Sequence, residues 1–111
     1  MTTCKRGDIV LVNVILGGDA PKPRPCLVIS TDAYHETRRQ AIVLAITSHV
    51  GRFLPGNYEI RAWREAGLPA PAVVAGIIRT VNHDMLGRKL GALPEAELAE
   101  VEVALSVILG L

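Results

Sequence analysis

The sequence predicts a mainly β fold, a small closed or half-open barrel completed by one amphipathic helix at the C-terminus. Three observations point there. Short apolar and β-branched runs alternate with Gly- and Pro-rich breaks. The last segment carries Leu98, Val101, Leu105 and Ile108 at steps of 3, 4 and 3, which places them on one helix face. The core must be aliphatic, because Tyr34, Phe53, Tyr58 and Trp63 are the only aromatic residues among 111.

Taken in order, Asp8 to Ile15 is β-branched and bounded by Gly7 and Gly17-Gly18, as a buried strand should be. Residues 16–23 hold two Gly and two Pro and read as a loop. Pro25 to Ser30 reads as a second strand, with proline tolerated at its start. Thr31 to Arg39 is polar, with a helix cap available in Thr31 or Asp32, and reads as a short helical turn. Ala41 to Thr47 is almost continuously apolar and reads as a third strand buried on both faces. A loop follows from Ser48 to Gly56, then a short fourth strand from Asn57 to Arg61. Ala66 to Pro71 is a turn region. Ala72 to Asn82 reads as one strand interrupted at Gly76 by a bulge or sharp bend. Met85 to Leu93 adds a further short strand. Pro94 then opens the helix, Glu95 and Glu97 suit its positive end, and Gly110 stops it.

The length fits a single domain over residues 1–111. No apolar run reaches the roughly 18–20 residues of a membrane span. The N-terminus lacks the apolar core of a signal peptide. Cys4 and Cys26 are too few and too distant for a disulfide framework or a zinc site. These features indicate a cytoplasmic protein.

Net charge is +1, unevenly spread. Residues 1–93 hold all twelve Lys and Arg against seven acids, a net +5, while 94–111 hold four Glu and no base. That split suits a polyanion bound on the basic body, or equally a solvated helix that carries its acids.

Phosphate-binding glycine loops, HExxH and paired cysteines are absent, and His35, His49 and His83 stand 14 and 34 residues apart, without metal-ligand spacing. Four short signatures remain in order. Lys5-Arg6-Gly7-Asp8-Ile9-Val10 opens the first strand. Arg24-Pro25-Cys26-Leu27-Val28-Ile29-Ser30 follows the basic loop. Thr47-Ser48 ends the third strand. Ile78-Arg79-Thr80-Val81 lies in the late strand, ahead of Leu86-Gly87 and the helix. Each is weak alone; together, from Lys5 to Leu109, they resemble the MazF/PemK family of toxin–antitoxin ribonucleases.

The resemblance implies an SH3-like barrel of the MazF/CcdB type, a homodimer, and sequence-specific cleavage of single-stranded RNA such as mRNA without a metal or other cofactor. It implies attack by the ribose 2′-OH, leaving a 2′,3′-cyclic phosphate and a 5′-OH, and neutralisation by a MazE-like antitoxin. The carried-over catalytic pair is Arg24 and Thr47. The chemistry agrees, since a planar guanidinium can grip two phosphate oxygens and a strand-end hydroxyl can add a second donor. Lys22, Ser48, His49 and Arg79 are the expected RNA contacts, with Arg52, Arg61 and Arg64 as further phosphate-contacting or merely solubilising charges. For Thr47 the plain alternative is a local backbone hydrogen bond. Arg79 can equally serve an ion pair or a dimer interface. His49 can act as a general base, although a loop imidazole is the simpler reading.

One departure stands out. Many members carry Asp-Gln before the late Arg-Thr, and here the pair is Gly76-Ile77, so a carboxylate that serves as general base in some relatives is missing. That leaves open a non-enzymatic, CcdB-like poison of a protein target such as gyrase. A plain SH3-like adaptor is disfavoured by the shortage of aromatics.

Overall fold

In the computed structural model, residues 4–14, 20–51 and 53–111 are described. The strands are β1 (Asp8–Val14), β2 (Lys22–Val28), β3 (Gln40–Thr47), β4 (Tyr58–Glu59), β5 (Val73–Asn82) and β6 (Leu86–Ala92). Helix α1 (Asp32–Arg38) joins β2 to β3, and α2 (Glu95–Leu109) ends the chain. The strands form one antiparallel sheet in the order β4-β5-β3-β2-β1-β6. Among the described residues β4 does not pair with β6, so the sheet stays open rather than closing.

Alternation along the strands gives the sheet two buried faces. Ile9, Leu27, Leu44, Ile46 and Val74 face one way, and Val101, Leu98 and Leu105 of α2 pack with them, as the 3-4-3 spacing required. Val10, Val12, Cys26, Val28, Ala41, Val43 and Val81 form a second cluster on the opposite face. Residues so buried on both faces explain why β3 reads as an unbroken apolar run.

Local chemistry sets the boundaries. Thr31 caps α1, its Oγ1 accepting from the Tyr34 N–H at 3.4 Å, and Arg39 ends it in the left-handed conformation with φ 53°. Gly110, with φ 72°, ends α2 in the same way. Several expectations shift. Lys22 and Pro23 belong to β2 and pair with Val14 and Asn13, which shortens the expected loop at its C-terminal end; Ile15 of the expected first strand and residues 16–19 of that loop lie outside the described residues. Proline is accommodated because β3 pairs with β2 only from Cys26 onward. The fourth strand is shorter than expected because the Arg61 and Ala62 N–H groups bond to the Glu97 carboxylate instead of to a neighbouring strand. A 3₁₀ turn, His83–Met85, takes the start of the expected last strand.

The register between β3 and β5 slips at Leu44/Ile46, opposite Ala75-Gly76-Ile77, which is the bulge expected at Gly76. The glycine also allows close packing. A Cβ at 76 would lie 3.2 Å from the Pro55 carbonyl oxygen and 3.3 Å from Ile108 Cδ1. The departure at Gly76 is therefore a packing feature that seats the 55–56 loop against the strand.

Candidate active site

The site begins with strand pairing. Cys26 lies opposite Ala45 where the β2–β3 ladder ends, and Arg24 and Thr47 each lie two residues beyond that end on their own strands. Arg24 and Thr47 share an open cleft of about 330 Å³ with Pro25, Ile46, Ser48 and His49. The far wall is Leu68-Pro69-Ala70-Pro71-Ala72.

Arg24 and Thr47 are half-buried, whereas Ser48 and His49 are exposed. The Thr47 hydroxyl accepts from the His49 N–H at 3.2 Å. That is the local backbone bond weighed as the plain alternative, yet it uses the oxygen's lone pair and leaves the hydroxyl hydrogen available to donate. Lys22, Arg24 and Cys26 alternate with outward prolines, so all three share a face of β2. Arg79 pairs with Val43 on β5 and belongs to that same face. Lys22 and Arg79 thus extend the cationic surface around Arg24, but neither lines the cleft. Between the two arginines, burial pushes the Cys26 thiol up to about 11, against the pull of Arg79 and then Arg24. The thiol is therefore inert at neutral pH. Arg52 lies outside the described residues.

The far wall is held from two sides. Gly67, at φ +86°, and Gly91 pack backbone against backbone, and a Cβ on either would collide with the Leu90 or Ala66 carbonyl. The second support is Glu97. Its buried carboxylate accepts from the Tyr58 hydroxyl at 2.6 Å, the Arg61 N–H at 2.8 Å and the Ala62 N–H at 3.0 Å. Burial alone would raise its pKa. The Tyr58 bond, the two backbone N–H groups and the Arg61 charge outweigh that and hold it below the usual carboxylate range. Burial and the bond to Glu97 in turn push the Tyr58 phenol up.

Three of the four acids of α2 are therefore engaged within the fold. Glu100 pairs with Arg61 at 2.6 Å and Glu102 with Arg6, and Glu97 is enclosed. Sequence reading missed the 68–72 wall and the role of Glu97. Two prolines in five residues signalled rigidity, but nothing in the order of residues placed them across from Arg24.

Among the described residues, no group of three or more His, Cys, Asp and Glu is placed to hold a metal ion. No helix among them is long and apolar enough to cross a membrane. The arrangement offers a guanidinium, two hydroxyls and an imidazole facing an apolar wall, a set suited to a phosphodiester whose base rests against that wall.

Residues 5–109 match the family described as the PemK-like, MazF-like toxin of type II toxin–antitoxin systems. The endoribonuclease EndoA of Bacillus subtilis is 31% identical over 96% of this chain and 95% of its own length. The endoribonuclease MazF of Staphylococcus saprophyticus is 27% identical over 96% and 92%. Among solved structures, MazF of Deinococcus radiodurans superposes with a TM-score of 0.80 at 24% identity, covering all of both chains. A mycobacterial endoribonuclease in complex with its cognate antitoxin gives 0.76 at 24%, covering 98% of this chain and 97% of that one.

Proposed function

The chain belongs to the PemK-like, MazF-like toxin family, and from that premise we propose that it is an endoribonuclease toxin whose active centre is the Arg24–Thr47 cleft. The observation that carries the reading is the meeting of Arg24 with Thr47, Ser48 and His49 in one open cleft, although 22 residues of sequence separate Arg24 from Thr47.

The ribose 2′-OH attacks the adjacent phosphorus, the bond to the 5′-oxygen breaks, and a 2′,3′-cyclic phosphate and a 5′-OH remain. Charge grows on the non-bridging oxygens, where the Arg24 fork and the Thr47 hydroxyl donate. Arg24 acts as an electrostatic clamp, its planar fork offering N–H donors to two phosphate oxygens. Ser48, His49, Lys22 and Arg79 contact the strand on either side of the cut. No metal ion takes part. The whole chain acts as one catalytic domain in the cytoplasm, cutting mRNA at short motifs and so arresting translation.

Val50, Phe53, Leu54, Ile77 and Ile78 are exposed, and the 55–56 loop that follows the first three packs on Gly76, beside the last two. This surface is the dimer contact in our reading, with RNA crossing beside it. A MazE-like antitoxin is the partner in our reading, as the antitoxin complexes of the mycobacterial and Deinococcus relatives support, and we place its contact at the cleft, through a segment that folds on binding.

The test is incubation of a long unstructured RNA with the protein in EDTA, beside an Arg24→Ala variant, followed by mapping of the ends. Motif-specific cuts with 5′-OH ends, lost in the variant, are expected. Intact RNA in the presence of folded wild-type protein overturns the reading and turns attention to a protein target.

A further inference from the structure

We infer that His49 is the general base that takes the proton of the attacking 2′-hydroxyl, an assignment that rests on the nuclease reading above. An alcohol is a poor nucleophile until a positioned base removes its proton. The described lining of the cleft has few side chains that can do this. Arg24, lining the cleft from β2, offers N–H donors and no acceptor. Thr47 and Ser48 are hydroxyls, and the 68–72 wall carries no ionisable group. His49 is the one described lining residue that can both accept and release a proton near neutral pH.

Its placement fits the task. The His49 N–H is bonded to Thr47 Oγ1 at 3.2 Å, so the backbone carrying the imidazole is tied to the hydroxyl that faces the phosphate. The bond holds the two residues' backbones together at the end of β3. The ring itself is exposed at the cleft mouth, free to meet a ribose and to return its proton to water. In the step, the proton of the 2′-OH passes to the imidazole and the 2′-oxygen forms its bond to phosphorus. The phosphorus–O5′ bond breaks, and the 5′-oxygen takes a proton from a water molecule. The imidazolium then gives its proton to solvent, leaving the balance closed.

Single-turnover cleavage of an RNA oligonucleotide, followed from about pH 5 to 9 with wild type and His49→Ala, tests the assignment. Wild-type log rate should climb with unit slope on the acid side and then level, as loss of one proton from a general base requires. His49→Ala should be about 10²- to 10⁴-fold slower, without that inflection. Added imidazole should restore part of its rate, which a merely structural role would not permit. Because His49 is exposed, the melting temperature of the variant should match wild type. A variant that cuts at the wild-type rate with the wild-type pH profile overturns the assignment and leaves the nuclease reading intact. Wild-type protein that is folded yet cuts nothing fails the nuclease reading itself.

Discussion

Two polar clusters lie at opposite ends of one short segment, and they are built on opposite principles. At residues 58–62, beneath α2, the Glu97 carboxylate is buried and accepts three hydrogen bonds from Tyr58, Arg61 and Ala62. At residues 68–72 the same stretch of chain becomes the wall of an open cleft where Ser48 and His49 face solvent. A buried charge persists only when its partners are supplied internally. A cluster that must bind phosphate keeps donors turned toward open space. Saturation of hydrogen bonding, rather than the presence of charge, separates the structural cluster from the chemical one.

Substitutions break the comparison in different currencies, activity at one end and stability at the other. Of the substitutions at Arg24, Glu97 and Thr47, Arg24→Ala should have the largest effect, lowering the rate of RNA cleavage about 10²- to 10³-fold, as removal of one transition-state donor does elsewhere. Its thermal melting should stay near wild type, and a collapsed melting curve would instead make Arg24 a structural residue. Glu97→Ala leaves one hydroxyl and two backbone N–H groups without their acceptor, so it should cost about 2–4 kcal/mol in denaturant unfolding. Unchanged stability there would show that water replaces the carboxylate and that the junction is not a clamp.

Thr47→Ala should slow cleavage about 10- to 100-fold, the worth of one hydrogen bond to a charged group, and Thr47→Ser should recover most of the loss. Failure of serine to recover it would assign the effect to the methyl group and its packing. The smallest effect concerns pH. Glu97 has a folded pKa below its unfolded value of about 4.3, so its stabilisation is present above that pH and lost as pH falls through the folded value. Glu97→Gln should therefore flatten the acid limb of the stability curve below about pH 4. An unaltered acid limb would move the sensitivity to another carboxylate.

Much of this was legible in the residues. The β-branched runs marked β1, β3 and β5, most plainly β3, where side chains buried on both faces leave no polar alternation to misread. The 3-4-3 spacing oriented α2, and Gly76 marked its bulge. The ordered signatures from Lys5 to Ile78-Arg79-Thr80 brought Arg24 and Thr47 forward together. Less was legible where a contact joins distant segments. Nothing local distinguished buried Glu97 from exposed Glu95, since burial depends on the segment that packs over the helix. The Gly-Ile at 76–77 read as a missing carboxylate, while the structure adds that a Cβ at 76 would press on Pro55 and Ile108.

The sequence by itself determined the periodicities, the breaks between elements and the kinds of side chain that can handle a phosphodiester, since these follow from local sterics and from the chemistry of single residues. Tertiary structure decided which of those residues meet. It brought Arg24 and Thr47 to one cleft through strand register, left Lys22 and Arg79 outside the cleft, and enclosed Glu97 while exposing His49. Register and docking are sums over many weak contacts between segments far apart in the chain, and no short stretch of sequence carries that sum.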